Sequence, residues 1–272
     1  MPRSSFILLL FLSLMPGAWV RGDDVNTPRD LPRVFAPSLP QPAAAVYPWK
    51  RHIKATVFWI GERPGENNPV PNSKSSWDRQ WRRSFGGYDD PNPSRRDDFR
   101  PKGFVPRLNP FYVALPYNDV LDQDSLKPEA AKVIPWFNKA PREPGRSICK
   151  GRWVAIRHNG RVCYAQWEDC GPFRTDDWRY VFGDARPATS GNGGAGIDLS
   201  PAARDFLGLD SSGTVDWRFV ELEEVAAGPW RRWGENNHFV HLRQKEAQAM
   251  TGRVARLGAQ RDAWLSAMSP IR

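Results

Sequence analysis

Two short segments of the sequence place a carboxyl group where acid–base chemistry could be done. Asp169 precedes Gly171-Pro172-Phe173, and Asp198 lies two residues before Ser200-Pro201. A carboxyl group can donate a proton near neutral pH only if burial or a neighbouring negative charge keeps it protonated. If folding brings them to one groove, these two carboxyls form a candidate acid–base pair.

Each aspartate also has a purely structural explanation. An aspartate before Gly-Pro is a common turn former, and Asp198 ahead of Ser200-Pro201 can help to cap a helix. The Ser200 to Gly208 segment has a serine at the N-cap, a proline at the first helical position and a glycine just past the end. This punctuation predicts a short helix.

The two motifs together resemble a known family. D-x-G-P-F, followed by I-D-L-S-x-A-A and then L-G, resembles the double-psi β-barrel of rare lipoprotein A, a relative of expansins and family 45 endoglucanases. The matching residues are Asp169, Gly171, Pro172, Phe173, Ile197, Asp198, Leu199, Ser200, Ala202, Ala203, Leu207 and Gly208. The resemblance covers roughly residues 52 to 225 and implies a mainly β fold: a six-stranded double-psi β-barrel with long loop insertions, short helices and a C-terminal helix.

The resemblance also implies a function. An extended polysaccharide, most plausibly peptidoglycan, would lie in a groove across the barrel with Asp169 on its floor. In lytic members an aspartate at this position donates a proton to the glycosidic oxygen, and Asp198 is the candidate neighbour. Expansin-like relatives keep the groove and only bind polysaccharide, so a binding protein and an envelope scaffold are the alternatives. The candidate substrate-binding residues are Trp59, Tyr117, Glu168, Phe173 and Trp178.

The chain departs from the family's pattern near the first motif. Cys170 stands where relatives usually carry arginine, and Glu168 stands where they usually carry a neutral polar residue. Glu168 is adjacent to Asp169 and is expected to point to the opposite face of its strand. A long insertion, residues 174–196, separates the two motifs, where relatives have only a few residues.

The first residues are typical of a secretory signal peptide. A basic start is followed by an apolar run from Phe6 to Val20, and small residues then predict cleavage near Gly22. An uncleaved membrane anchor is the alternative, and no cysteine near the cleavage site could accept lipid. The expected organisation is a signal peptide at 1–22, a proline-rich linker at 23–49, a barrel domain at 50–225 and a C-terminal helical extension at 226–272. We therefore expect a secreted or periplasmic protein.

The composition narrows the class of partner. The formal net charge is +9, but the basic residues are scattered, which together with export argues against a nucleic-acid partner. The chain contains 13 tryptophans, whose flat faces can stack on sugars. Each of the two long insertions contains a set of aromatic residues, for which packing onto the barrel is favoured over a role as stacking platforms. The first set is Trp77, Trp81, Phe85 and Tyr88, and the second is Trp178, Tyr180 and Phe182.

A hairpin signal sets an expectation for the cysteines. Asn159-Gly160 supplies the positive φ angles of a type I′ turn, so strands are predicted at 153–158 and 161–168. Counted outward from this turn, Cys149 and Cys170 become partners in a non-hydrogen-bonded pair, where a disulfide fits unless a bulge disturbs the register. Cys163 is then left as a small apolar core residue.

The other predicted elements complete a barrel. Strands are expected at 52–60, 111–117 and 215–222, and a short helix is expected over 124–137, capped by Asp124 or Ser125. Beyond Leu242 an apolar stripe predicts a basic helix, for which docking on the barrel is favoured over pairing with another chain or lying on a membrane surface. His238 and His241 lack further ligands at metal-site spacing, so no metal and no cofactor are expected.

Overall fold

The computed structural model describes residues 47–65, 68–123 and 125–268. The predicted signal peptide, most of the proline-rich linker and the proposed cap Asp124 lie outside these residues. Eight strands are formed: β1 Lys50–Val57, β2 Arg96–Asp97, β3 Arg100–Pro101, β4 Tyr112–Leu115, β5 Trp153–His158, β6 Arg161–Cys170, β7 Ala195–Leu199 and β8 Gly213–Phe219.

Six of the strands close into a barrel in the order β1-β7-β4-β6-β5-β8. β1 pairs with β7 and β4 pairs with β6 in parallel, whereas the other four neighbouring pairs are antiparallel. A closed barrel leaves no unpaired sheet edge. The predicted fold class, a mainly β six-stranded double-psi barrel with long insertions, is confirmed.

The β5–β6 hairpin forms as the sequence predicts. Asn159 and Gly160 have φ values of 45° and 79°, which are those of a type I′ turn. The register follows from this turn, with His158 opposite Arg161 and Trp153 opposite Gln166. Cys163 is fully buried opposite Ile156, as expected for a core residue.

The barrel interior is filled mainly by apolar side chains that alternate along the strands. Val113, Trp167, Leu199 and Trp217 are all fully buried in one cluster. A second cluster lies on the other face of β4, where Tyr112 packs edge-on against Phe58 and Trp81. This second cluster fastens the insertion after β1 to the outside of the barrel.

The insertion is also held by a buried polar network. Asp89 is fully buried, accepts a hydrogen bond from Arg96, and accepts a second from the Tyr112 hydroxyl at 2.7 Å. Burial of a carboxylate is costly unless it is paired in this way. The long excursion is therefore an ordered wall of the barrel.

Five α-helices accompany the strands: α1 Trp81–Phe85, α2 Ala130–Val133, α3 Trp178–Val181, α4 Pro201–Leu207 and α5 His238–Met268. α4 has the predicted ends, because Ser200 Oγ accepts from the Ala203 amide and Gly208 adopts a left-handed conformation. The helix predicted over 124–137 is reduced to α2, which has Glu129 at its N-cap and stops before Pro135.

The predicted disulfide is wrong, because Cys149, Cys163 and Cys170 are all free thiols. The hairpin register continues to Trp167, whose amide donates to the Arg152 carbonyl. The Arg152 amide then donates to the Cys149 carbonyl, which closes a turn and takes Cys149 out of the strand. The register count past the end of β5 therefore does not apply to Cys149.

The docking expected for the C-terminal helix is confined to its first two turns, where Arg243 donates to the carbonyls of Arg231 and Arg232. Phe239 packs against Trp153, with ring centroids 5.7 Å apart. Beyond these turns the apolar stripe of α5 is exposed, and Trp264 retains 60% of its accessible surface. No helix in the described part of the chain is both long enough and apolar enough to cross a membrane.

Candidate functional site

Four neighbouring strands of the barrel each contribute one residue to a single row. Thr56 on β1 pairs with Asp198 on β7, Asp198 pairs with Ala114 on β4, and Ala114 pairs with Asp169 on β6. We call Thr56, Asp198, Ala114 and Asp169 the floor row. Adjacent strands lie about 4.8 Å apart, so the backbones of the two aspartates are separated by only two strand spacings.

A β-bulge in β6 places Asp169 in this row. Val113 pairs with Trp167, but the next residue, Ala114, pairs with Asp169, so Glu168 is the extra residue. Simple alternation would put Asp169 on the same face as Trp167, in the barrel core. The bulge turns the Asp169 side chain outward, to the face that carries Asp198.

The floor row opens into a cavity of about 1270 Å³. The walls come from the insertion after β1 and from the segment between β6 and β7. We call this cavity the groove. Its residues beyond the floor row include Lys54, Glu62, Asn68, Asn72, Lys74, Ser76, Arg79, Gly171, Phe173, Arg174, Asn192 and Ser212.

Asp169 is held by two backbone amides at one oxygen. Its Oδ1 accepts from Ser76 N at 2.8 Å and from Cys170 N at 2.7 Å, and the residue is only 8% exposed. Burial raises the pKa of Asp169 to about 6, and the hydrogen bonds from the two amides act to lower it. The Ser76 side chain is a further hydrogen-bonding partner that lowers the pKa of Asp169.

Asp198 keeps its proton to higher pH than Asp169. Burial raises the pKa of Asp198 to about 7, the hydrogen bond from Thr56 lowers it, and the negative charges of Asp169 and Glu62 raise it further. A side chain at position 171 would begin 3.4 Å from Asp198 Oδ2, so Gly171 leaves that oxygen accessible. The two aspartates are therefore electrostatically coupled within one groove.

Glu62 is a third carboxyl group of the groove, and no motif in the sequence singles it out. Its Oε2 accepts from the side-chain amides of Asn68 and Asn72, each at 2.9 Å. Burial raises the pKa of Glu62, against the effect of these hydrogen bonds. Thr56 and Ser76 were also missed, because their contacts with the two aspartates depend on strand pairing and on the folded insertion.

The candidate substrate-binding residues are only partly brought to the groove. Phe173 lines it and is 50% exposed, so its ring can contact a ligand. Tyr117 is fully buried in the core, and the partly buried Trp178 packs against that core, so neither lines the groove. Trp59 donates to the Tyr88 hydroxyl at 3.0 Å and does not line the groove.

Glu168 also lies outside the groove. It is 2% exposed, and its Oε1 accepts from Asn236 Nδ2 at 3.0 Å. Burial raises the pKa of Glu168 to about 7, although Lys150 acts to lower it. This neighbour of Asp169 therefore shares its burial and its raised pKa without sharing its access to the groove.

Most aromatic residues of the two insertions pack onto the barrel, as predicted. Trp81, Phe85 and Tyr180 are buried, and Trp77 stands edge-on to Trp167 with ring centroids 5.6 Å apart. Within the described ranges, no group of three or more His, Cys, Asp or Glu side chains could hold a metal ion.

The comparisons with known proteins add little to this geometry. No protein-family model matches the chain, and the comparison with curated protein sequences finds no match. Among solved structures, the chain is similar to the Streptomyces papain inhibitor, with 15% sequence identity and a TM-score of 0.25, over 64% of this chain and 96% of that chain. A likeness at this level says nothing about activity.

Proposed function

We propose that the protein is an exported cell-envelope protein that cleaves glycan strands, with peptidoglycan as the substrate, using Asp169 and Asp198 as an acid–base pair. The observation that carries the proposal is the floor row. It sets the buried carboxyl group of Asp169 and the half-buried carboxyl group of Asp198 in one row at the bottom of an open groove, and both have pKa values raised towards neutrality. Such a pair is suited to proton transfer at the pH of the envelope.

Both carboxyl groups of the pair titrate near neutral pH. The pKa of Asp169 is raised to about 6 and that of Asp198 to about 7, so both groups are partly protonated near pH 6.5. Because the two groups interact, the pair as a whole holds about one proton in this range. The resemblance to rare lipoprotein A names Asp169 as the acid, and Asp198 is the neighbour whose pKa responds to the charge of Asp169.

The reaction that fits this pair is a lytic transglycosylation. A carboxyl proton passes to the glycosidic oxygen as the bond to the anomeric carbon breaks. A hydroxyl of the same sugar then bonds to that carbon, which closes an anhydro ring, and its proton returns to the carboxylate. The acid is regenerated and no water is consumed, so Asp169 serves first as the acid and then as the base.

The test is release of soluble fragments from purified wall sacculi. We expect wild type to release anhydro-sugar fragments and Asp169→Asn to lose at least about 100-fold of this rate, as is typical when an acid–base group is removed. Glu168→Gln is the matched control, because it neutralises the adjacent buried carboxyl outside the groove, and it should retain the rate. Equal release by wild type and Asp169→Asn would remove the catalytic claim.

A polysaccharide-binding protein of the expansin type is the second candidate. The exposed Phe173 ring on the groove wall supports it, because such a ring can stack on a sugar without any chemistry. This candidate predicts that the protein sediments with sacculi while releasing nothing. Phe173→Ala should then weaken sedimentation, and Asp169→Asn should leave it unchanged.

A further inference from the structure

A run of unpaired basic side chains lies along one wall of the groove. Lys74 and Arg79 line the groove itself, and Arg82, Arg83 and Arg107 line an adjoining hollow of about 460 Å³. The two cavities adjoin along the chain. Ser73 and Gln80 line the hollow, whereas their sequence neighbours Lys74 and Arg79 line the groove. We call Lys74, Arg79, Arg82, Arg83 and Arg107 the basic strip.

The five side chains of the basic strip have no acidic partner among the residues that the structure describes. All five are exposed. The Arg107 guanidinium donates only to the Arg83 carbonyl, and Arg83 Nη1 contacts Gln80 Oε1 at 3.4 Å. Asp78 is the one acid between Lys74 and Arg83, and its Oδ1 accepts a hydrogen bond from the Gln80 amide at 2.8 Å. Cations gathered in this way repel one another and attract anions.

The backbone beneath the basic strip is fixed to the barrel. Trp77 Nε1 donates to Asn118 Oδ1 at 2.8 Å, and the Ser76 amide donates to Asp169. Trp81 and Phe85 of α1 are buried in the second core cluster. The positions of the cations relative to the floor row are therefore set by the fold, which is the condition for selective recognition.

Guanidinium groups recognise carboxylate and phosphate oxygens through two parallel hydrogen bonds. Three arginines around one hollow, continuous with a groove that carries a lysine and a further arginine, provide several such contacts along one path. From this we propose that the basic strip binds the anionic substituents of an acidic polysaccharide whose backbone lies over the floor row. The inference rests on the proposed glycan function and names the class of glycan.

The test measures polymer binding in the Asp169→Asn background, where no cleavage is expected. The probes are polygalacturonate, which bears carboxylates, a teichoic acid, which bears phosphates, and neutral hydroxyethylcellulose. We expect at least one acidic polymer to bind about 10-fold more tightly than the neutral polymer, with the difference reduced by salt. Comparison of the two acidic polymers identifies the anionic group.

Double variants locate the effect. Lys74→Gln/Arg79→Gln and Arg82→Gln/Arg83→Gln should each weaken acidic-polymer binding about 10-fold and leave neutral-polymer binding unchanged. Lys245→Gln/Arg253→Gln is the matched control, because it removes the same charge from exposed, unpaired positions on α5. Equal affinity for acidic and neutral polymers, or equal losses in the control, would overturn the inference. Preference for an acidic polymer without release from sacculi would instead overturn only the catalytic proposal.

Discussion

Asp169 and Asp198 are register partners of the same residue, Ala114, one from each side of strand β4. Residues 114, 169 and 198 are far apart in sequence, and β4 is the strand that brings their segments together. The side chain of Ala114, between the two aspartates, is only a methyl group, so the space above it is open to the groove. The relationship makes the charge of one aspartate depend on the protonation of the other.

Asp169→Asn should lower the pKa of Asp198. The negative charge of Asp169 contributes to raising that pKa, and asparagine removes the charge while keeping the size of the side chain. The shift can be followed by carbon-detected NMR of the aspartate carboxyl groups across a pH titration. Glu168→Gln should leave the Asp198 titration where it is, and an unchanged pKa in Asp169→Asn would show that the two groups are uncoupled.

Thr56→Val should raise the pKa of Asp198. The Thr56 hydroxyl donates to Asp198 Oδ1 and favours the ionised form, and valine has nearly the same shape without the donor. If the pair is catalytic, the alkaline limb of the pH–rate profile should move to higher pH. Thr175→Val, at a groove threonine whose side chain has no contact with Asp198, is the control. A shift in the opposite direction would contradict the assigned hydrogen bond.

The pH dependence of stability should reveal the raised pKa of the Asp198 carboxyl group. Its pKa is about 7 in the fold, against an ordinary value of 3.8, so the unfolded chain loses the proton first. The folded state is therefore favoured most at low pH and loses this contribution as the pH rises from about 4 to about 7. Asp198→Asn cannot ionise, so its free energy of unfolding relative to wild type should increase by about 1 kcal/mol or more across this window.

Urea unfolding of wild type and Asp198→Asn at pH 4.5 and pH 8 measures this difference. A difference between the two proteins that stays constant with pH would show that Asp198 ionises as readily in the folded protein as in the unfolded chain. Asp169 and Glu168 titrate in the same direction, so wild type itself should become less stable across the same range.

A thiol titration should find all three cysteines reduced. Cys149 and Cys163 are buried, and Cys170 donates from its thiol to the Tyr117 carbonyl at 3.1 Å, so none is spent in a disulfide. Protein prepared without reductant and unfolded in guanidinium should react at three thiols per chain. A single reactive thiol would restore the Cys149–Cys170 disulfide that the hairpin register predicts.

The sequence predicted the features of the structure that depend on residues a few positions apart, such as turns and helix ends. Asn159-Gly160 fixed the turn of the hairpin, and Ser200 and Gly208 fixed the two ends of α4, because each acts on backbone groups a few residues away. The bulge at Glu168 could not be predicted, since it appears only when β6 pairs with β4, more than 50 positions earlier in the chain.

The errors have the same origin. The cysteine pairing extended a correct register beyond Trp153, where a turn replaces the strand. Tyr117 was expected to face a ligand because it is aromatic and follows β4, but its burial depends on packing against Phe182 from a distant insertion. Residue type identified the two aspartates, and only the folded topology identified their surroundings.

The floor row draws one residue from each of four strands, and these strands come from nearly the whole barrel sequence. No contiguous fragment of the chain could carry the row, so the site comes into existence with closure of the barrel and disappears with its opening. If the barrel unfolds cooperatively, catalytic competence and global folding are the same event. Residual activity under denaturing conditions would then measure the fraction of molecules that remain folded.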